Sequence, residues 1–354
     1  MDIHVPMLKE IRHQIKRSIF QVLIWMRKIK LPGFQGMGLY DVMRFFFRAL
    51  GDSKFTLLAS AMSYQFFFSL IPALLLAFLV LPSIPIPGLE SRALHFVMQF
   101  MPMSTTSGMS EPELIDMVRG LVGGYFDRGG NGLLIIVSVL LALWGATRGV
   151  IAMMKAFTKQ EEVFKRRNIF QLYGTATLIF ISLAGIIVLA VLLQMWMVRL
   201  LDWLLVSGWF TWAWREIFVQ ISSLFVTATT IFMAISMLYS LAPATKERWK
   251  FFSPGSIAAG ALMLVAMIGL RYYFANFANF DRLYGSLGAI IVLMVWFYYI
   301  SIMLLIGFEL NAAIDIAAYH DSQVEGKEKV GKLPPPEELD RKAAELKESG
   351  KKVT

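Results

Sequence analysis

The chain has 354 residues, of which 57% are hydrophobic and 17% are charged, and its formal net charge is +9. A soluble domain usually carries about 25% charged residues, so this composition excludes an ordinary soluble protein and indicates that lipid surrounds most of the chain. The absence of cysteine excludes disulfide bonds, thiolate metal sites and a cysteine nucleophile.

The first 38 residues contain a basic segment that predicts a helix on the membrane surface. Apolar residues recur at spacings of three and four along residues 8–29, and lysine and arginine occupy the other faces. This pattern is typical of a basic amphipathic helix on an anionic membrane, although a soluble helix packed on the cytoplasmic face of the protein shares it. No continuous apolar core with a small-residue cleavage site is present in this segment, so a signal peptide is not predicted.

Six apolar runs follow, each at least as long as the roughly 20 residues that a helix needs to cross a bilayer. They cover about residues 56–81, 133–154, 169–198, 217–241, 254–277 and 284–313. A short amphipathic stretch at 39–55 precedes the first run, and residues 39–315 are predicted to form one membrane domain. The connection at 82–132 is too polar to span and carries two short amphipathic patterns, which predict a small helical cap outside the cytoplasm. The polar tail at 316–354 is predicted to be disordered.

The distribution of basic residues predicts the orientation of these six spans. An even number of spans places both termini on one side, and that side holds 26 lysines and arginines, including every lysine, against seven arginines opposite. Such an excess marks the cytoplasmic side. The sequence therefore predicts an all-α polytopic membrane protein with six transmembrane helices and both termini in the cytoplasm. Because topology accounts for the positive charge, nucleic-acid binding is not predicted.

Three stretches give the chain a resemblance to a known family. They are ASAMSYQFFFSLIPALL at Ala59–Leu75, ALWGATRGVIAMMKAF at Ala142–Phe157 and YGSLGAIIVLMVWFYYISIMLLIGFELNA at Tyr284–Ala312. With the six-span layout, they make residues 40–315 similar to the YihY/BrkB family of bacterial inner-membrane proteins. The resemblance implies an envelope protein of the bacterial inner membrane, with transport or lipid export proposed for some members and no settled substrate. The family also carries a virulence-factor label and an old ribonuclease BN label, which we interpret as a mislabelling.

Two charges inside the apolar runs, Arg148 and Glu309, predict a polar site in the cytoplasmic half of the membrane domain. Arg148 lies seven residues before Lys155 and Glu309 six residues before Asp315, about 10 and 9 Å from those ends at the helical rise. An ion pair between the second and sixth spans fits this matched depth, as does an arginine that snorkels alone to the headgroups. The functional interpretation is a site for an anionic group such as a lipid phosphate.

Four further polar residues complete the predicted substrate-binding set. Thr147 and Asn311 lie near the two charges in height, and Tyr64 and Gln65 are polar members of the first span. Other serines, threonines and glutamines in the first, third and fourth spans predict interhelical hydrogen bonds, or together a polar groove. The sequence leaves both possibilities open.

The turn before the sixth span holds a second charged group, for which a structural role is predicted. Asp281 and Arg282 lie in this short turn, and Arg271 lies near the outer end of the fifth span. Asp281 is expected to pair with Arg271 and fix the turn. Small residues at the starts of the fifth and sixth spans predict close helix packing.

No catalytic or metal site is predicted. A metal-dependent nuclease needs clustered histidine and carboxylate ligands, whereas the four histidines, at positions 4, 13, 95 and 320, are scattered. No glycine-rich phosphate loop is present, so neither ATP use nor another cofactor is expected. We therefore expect a non-enzymatic, non-ATP-driven transporter or lipid-handling protein whose partners are anionic membrane lipids at the cytoplasmic face. A non-transporting envelope scaffold is the alternative, and a homo-oligomer is compatible with either function.

Overall fold

The computed structural model describes seven helices and their nearest connections. The described residues are 29, 31–81, 84–89, 91–93, 96, 132–158, 164–165, 167–207, 212–245, 249–276 and 287–331. The helices are α1 (Leu39–Leu50), α2 (Ser53–Val80), α3 (Gly132–Ala156), α4 (Ile169–Val206), α5 (Trp212–Leu241), α6 (Pro254–Asn276) and α7 (Leu287–Gly331). Helices α2 to α7 are long and apolar enough to cross a membrane, and the described residues form no strand. The prediction of an all-α, multi-pass membrane protein is therefore confirmed.

Side-chain caps set where two of the spanning helices begin. At the start of α2, the Asp52 side chain accepts a hydrogen bond from the Lys54 backbone N–H at 3.0 Å. At the start of α4, Asn168 and Gln171 form a reciprocal capping box, in which each side chain accepts a backbone N–H. These caps satisfy N–H groups that the first helical turn leaves without partners. They explain why α4 begins at the residue that the sequence predicts.

Helices α4 and α7 are longer than the sequence predicts. Helix α4 runs to Val206 and α7 runs to Gly331, eight and 18 residues beyond the predicted ends. Residues 316–331 are therefore helical, which corrects the predicted disorder of the first part of the tail. Burial accounts for the first part of the α7 extension, because Ile314 and Ala317 continue an apolar face past the end of the predicted span. The rest of the tail lies outside the described residues.

The chain divides into two compact units. The smaller unit comprises residues 1–45 and 313–354, and the larger one comprises residues 46–312. Within the smaller unit, Gln35 Nε2 donates a hydrogen bond to Asp315 Oδ1 at 2.8 Å, and the rings of Phe45 and His320 stack with their centroids 5.5 Å apart. These contacts hold the chain before and within α1 against the extension of α7. Residues 1–28, where the surface helix is predicted, lie outside the described residues.

Two glycines allow α3 to pack closely against α2 in the larger unit. A Cβ atom built on Gly145 would lie 2.7 Å from Pro72 Cγ, and one built on Gly149 would lie 2.5 Å from Ser69 Oγ. Real Cβ atoms essentially never approach other atoms so closely, so a Cβ at either position would force its neighbour on α2 to shift. Their four-residue spacing places them on one face of α3, as in other close crossings of membrane helices.

The first part of the predicted cap packs against α4 and α5. The cluster joins buried Leu89, Ala93 and Phe96 of the connection to Ala190, Val191 and Met195 of α4 and Val226 of α5. The connection thus follows the predicted amphipathic pattern as far as it is described. At about 1.5 Å per residue, the 38 residues of α4 extend well beyond a hydrocarbon core of about 30 Å, so its far end offers a surface for this cap. Residues 97–131 lie outside the described residues.

Candidate functional site

The loop between α3 and α4 and the loop between α5 and α6 meet at one end of the larger unit, which we call the basic end. Residues 155–168 and 242–250 hold eight lysines and arginines against three glutamates. An antiparallel bridge joins Phe164 in the first loop to Thr245 in the second. The end of α3, the start of α4, the end of α5 and the start of α6 therefore lie together at the basic end.

Arg148 lies on an exposed face of α3, about 12 Å from the end of the helix at Ala156. Its guanidinium carbon is 4.9 Å from the centroid of the Trp144 ring, and Trp144 is 50% exposed. Because the face of an indole ring attracts a cation, Trp144 holds the guanidinium against the helix. Within the described part of the chain, Arg148 makes no hydrogen bond or ion pair. Its N–H donors therefore remain available at the exposed surface of the protein.

Glu309, in contrast, is only 7% exposed on α7. Thr147, the residue before Arg148, is also buried, and its hydroxyl donates a hydrogen bond to the Trp144 carbonyl at 2.9 Å. No ion pair joins Arg148 to Glu309, both of which the structure describes, and this corrects the predicted pair. The helical rise gives Arg148 and Glu309 similar depths in the membrane, but it does not say which way each side chain points. Each successive residue is rotated by about 100° around the helix axis. That rotation places Thr147 inside the bundle and Arg148 outside it.

Asn311 is a structural cap for α6. It is 3% exposed, its Oδ1 accepts a hydrogen bond from the Gly255 backbone N–H at 2.8 Å, and its Nδ2 donates to Ser253 Oγ at 2.7 Å. Ser253 and Ser256 add a reciprocal cap, in which each backbone N–H donates to the other residue's hydroxyl. Asn311 thus uses both ends of its amide to satisfy the start of α6. These contacts favour a structural role over the predicted role in substrate binding.

The cap requires that α6 and α7 approach each other closely. A Cβ atom on Gly307 would lie 2.5 Å from the Gly255 carbonyl oxygen and 2.6 Å from Ala259 Cβ, and a Cβ on Gly255 would meet the Gly307 carbonyl. The Tyr239 hydroxyl of α5 donates to the Leu304 carbonyl at 2.6 Å beside this crossing. The predicted close packing at the start of the fifth span is therefore present, and it positions the Asn311 amide over the first turn of α6.

Stacked aromatic rings fill the interior at the basic end. The rings of Phe157 and Phe308 are parallel with centroids 4.5 Å apart, and Trp249 and Tyr239 lie 5.7 and 5.8 Å from Phe308 and Phe157 respectively. All four residues are buried. Sequence reasoning did not find this cluster, because Trp249 lies in a basic loop and its partners lie far away in the chain. The cluster packs the space between α3, α5 and α7 where the spans end.

Tyr64 and Gln65 lie on α2, and neither makes a hydrogen bond or ring contact with Arg148 among the described residues. Tyr64 is exposed, and its ring packs against Phe68 one turn later at 4.5 Å. Gln65 is half-buried and makes no hydrogen bond within the described residues. The structure therefore does not gather the six predicted residues into one site. Arg148 and Tyr64 are exposed, whereas Thr147, Glu309 and Asn311 are buried.

Other polar side chains in the spans make hydrogen bonds within the protein. Ser182, Thr230 and Ser301 donate to the carbonyls of Leu178, Val226 and Phe297 in their own helices. Gln194 Nε2 donates to Ser223 Oγ at 2.8 Å between α4 and α5, and Ser63 Oγ donates to the Met294 carbonyl at 3.2 Å between α2 and α7. These bonds favour local and interhelical roles over a polar groove for these residues.

The remaining predictions concern the turn before the sixth span and a metal site. Asp281, Arg282 and the side chain of Arg271 lie outside the described residues, so the predicted turn-fixing pair stays a prediction. Among the described residues, no cluster of three or more histidines, aspartates and glutamates is arranged to hold a metal ion.

Comparison with known proteins gives a consistent family assignment. The family described as Virulence factor BrkB matches residues 46–331. The chain is 28% identical to the putative ribonuclease-like protein YfkH of Bacillus subtilis over 268 residues, which cover 75% of this chain and 90% of that protein. It is 26% identical to a UPF0761 membrane protein of Aliivibrio salmonicida, with 74% of this chain and 79% of that protein covered. No solved structure matches the chain.

Proposed function

Since the chain belongs to the Virulence factor BrkB family of membrane proteins, we propose that it is a non-ATP-driven, lipid-handling protein of the bacterial inner membrane. In this proposal, an anionic phospholipid headgroup reaches Arg148 from the surrounding lipid and not through a central channel. The observation that carries the proposal is the exposed guanidinium of Arg148 within a spanning helix.

The energetic position of Arg148 favours a lipid phosphate as its partner. An arginine in the centre of a membrane helix costs about 2.5–3.5 kcal/mol on insertion scales, which is the upper value for Arg148, because it lies nearer to the end of α3 than to its centre. Within the described residues, no carboxylate or carbonyl offsets this cost for Arg148. A phosphodiester offers two acceptor oxygens to the forked guanidinium, and charge-assisted hydrogen bonds contribute about 1.5–3 kcal/mol each. The two hydrogen bonds of one bidentate contact, about 3–6 kcal/mol together, are therefore enough to offset the cost of the exposed charge.

The packed interior supports a lateral route. The stacked rings of Phe157 and Phe308 occupy the space between the spans at the basic end. Gly145 brings α3 into close contact with α2, and Gly307 brings α7 into close contact with α6. A hydrophilic solute crossing between the helices would have to separate these contacts, whereas a lipid reaches Arg148 along the outer surface.

The orientation predicted from lysine and arginine places the basic end in the cytoplasm. Anionic lipids give the cytoplasmic leaflet a negative surface potential, and each basic residue near that surface contributes about 1 kcal/mol to attraction. The eight lysines and arginines of the two loops at the basic end thus favour anionic lipids around the protein. This enrichment supplies the headgroup class that Arg148 is proposed to contact.

The test uses the full-length protein in vesicles of phosphatidylglycerol and phosphatidylcholine that contain a trace of headgroup-labelled fluorescent phosphatidylglycerol. Chemical quenching of the outer leaflet measures how fast the labelled lipid crosses the bilayer. We expect faster movement than in protein-free vesicles, and a loss of at least about fivefold in Arg148→Ala, since the change removes one charge-assisted contact. Arg148→Lys keeps the positive charge but loses the forked N–H donors of the guanidinium, so we expect an intermediate rate of lipid movement.

The matched control is Leu141→Ala, which shortens another exposed side chain of α3 and should change the rate less than twofold. Movement equal to that in protein-free vesicles would overturn the proposal and favour the alternative, a non-transporting scaffold. An unchanged rate in Arg148→Ala would overturn the role of Arg148. We further propose that the protein is not a ribonuclease, although YfkH is named ribonuclease-like, because the four histidines are scattered along the sequence and share no motif.

A further inference from the structure

A polar cavity of about 300 Å³ lies at the basic end, between the start of α4 and the end of α5. Its polar lining consists of Lys165, Arg167, Gln171, Thr175, Ser240 and Thr245. None of the described residues that line the cavity is acidic. A volume of this size lies at the lower end of the range for small-molecule sites, so it suits a headgroup and not a whole lipid.

Hydrogen bonds between the two loops hold the walls of the cavity in place. The Arg167 guanidinium donates to the carbonyls of Leu241 and Ala242 at 2.7 Å each, and to that of Pro243 at 3.2 Å. Leu241 is the last residue of α5, and Ala242 and Pro243 follow it directly, so Arg167 acts as a cap for the end of that helix. The Lys165 backbone N–H donates to the Ala244 carbonyl at 2.6 Å. The cavity is therefore preformed.

The cavity offers several hydrogen-bond donors. The Lys165 side chain is exposed, and its ammonium group makes no ion pair within the described residues. The Gln171 Oε1 accepts the Asn168 backbone N–H at 3.3 Å, which leaves the Nε2 group of Gln171 as a donor. A cationic ammonium, an amide N–H and the Thr175 hydroxyl together form a set that favours a phosphate over a cation or a neutral sugar.

The membrane-facing edge of the cavity is apolar. Leu178 lines the cavity and is 54% exposed, about 14 Å from the start of α4. Ile181 and Leu189 continue the exposed apolar surface along α4 at helical spacing. A lipid whose phosphate occupies the cavity can therefore lay its acyl chains along α4. A soluble phosphate compound gains nothing from this surface.

We propose that this cavity binds the phosphate group of an anionic glycerophospholipid, with Lys165 as the main cationic contact. Basic pockets between membrane helices on the cytoplasmic side bind such headgroups in other proteins. The site deepens the proposed function and rests on it for the lipid class, but it uses residues other than Arg148. Equilibrium binding at Lys165 and transbilayer movement through Arg148 can therefore fail separately.

The test measures binding of short-chain phosphatidylglycerol to the full-length protein in detergent by isothermal titration calorimetry. We expect Lys165→Gln to weaken binding roughly tenfold, because one charge-assisted contact is lost, and Lys165→Arg to restore most of it. Lys250→Gln is the matched control, since Lys250 is an exposed lysine at the same end that does not line the cavity. It should change the affinity less than twofold.

Two further ligands separate the sources of the phosphate. Short-chain phosphatidylcholine should bind at least tenfold more weakly than phosphatidylglycerol, and inorganic phosphate should compete only at far higher concentration. Equal losses in Lys165→Gln and Lys250→Gln would show general charge attraction and overturn the site. Inorganic phosphate that binds as tightly as phosphatidylglycerol would overturn the lipid assignment. If phosphatidylglycerol binds as described while vesicle transport is absent, the cavity stands and the proposed function fails.

Discussion

Replacing Asn311 with leucine separates a structural role for this residue from a role in substrate binding. The change keeps the approximate size and shape of the side chain but removes both polar groups of the amide. It takes away the acceptor for the Gly255 backbone N–H and the donor to Ser253 Oγ, both of which are buried. We expect the variant to be clearly less stable than the natural protein.

The size of this loss follows from the two bonds that are lost. The buried Gly255 N–H is left without a partner, which costs about 1–3 kcal/mol. Ser253 Oγ still accepts the Ser256 N–H, so losing its bond from Asn311 adds about 0.5–1.5 kcal/mol, and the total is roughly 1.5–4.5 kcal/mol. Asn311→Asp should lose less, because a carboxylate still accepts the Gly255 N–H and sits at the positive end of α6. The Ser253 hydroxyl can then donate to the carboxylate instead of accepting from the amide.

Thermal unfolding in detergent, followed by tryptophan fluorescence, measures these differences. Trp249 is buried against Phe308 near the cap and reports on this end of the bundle. Since 1 kcal/mol shifts Tm by about 2–4 °C in domains of 150–250 residues, we expect Asn311→Leu to lower Tm by roughly 3 °C or more. Gln65→Leu is the control, because Gln65 makes no hydrogen bond within the described residues. Its Tm should change by less than about 2 °C.

Two results would refute this reasoning. If Asn311→Leu unfolds at the same temperature as the natural protein, the amide does not stabilise the start of α6. If Asn311→Asp is less stable than Asn311→Leu, a carboxylate at position 311 does not cap the start of α6. A stable Asn311→Leu variant with lost lipid transport would instead restore the role in substrate binding that the sequence predicts.

Two further predictions concern helix packing, and the same unfolding assay measures both. Gly145→Ala forces a Cβ against Pro72, whose Cγ would be 2.7 Å away, so we expect a loss of about 1–3 kcal/mol. Gly174→Ala meets open space in α4 and should raise stability by up to about 1 kcal/mol, and equal effects of the two changes would contradict the close crossing. Tyr239→Phe removes the hydroxyl bonded to the Leu304 carbonyl and should cost about 0.5–1.5 kcal/mol, so an unchanged Tm would speak against that bond.

The sequence predicts the number and type of the spans well because a bilayer imposes a strong length requirement. Apolar runs near 20 residues, bounded by Pro254 or by the Asn168 cap, mark helix starts directly. The helix ends are harder to predict where apolar character continues outside the membrane. The buried Ile314 and Ala317 show this in α7, because their burial depends on residues far away in the chain.

The site is less predictable because depth and rotation are separate quantities. The distance of Arg148 from Lys155 along the sequence gives its depth, but apolar residues surround α3 on all sides and leave the inward face undefined. The partner of a polar residue is equally hidden. Asn311 has the polar character of a binding residue, and only the position of α6 shows that it caps a neighbouring helix. No local pattern encodes such a long-range contact.

The cavity and Arg148 serve different stages if one lipid uses both. Helices α3 and α4 pack together, and Arg148 lies about 12 Å inside the end of α3, whereas Lys165 lies in the loop outside the spans. A headgroup bound by Lys165 therefore rests at the membrane surface, and it contacts Arg148 only after moving inward. A contact made during movement but not at rest lowers the barrier without changing resting affinity. Arg148→Ala should then slow transport with unchanged binding, whereas Lys165→Gln should weaken binding first.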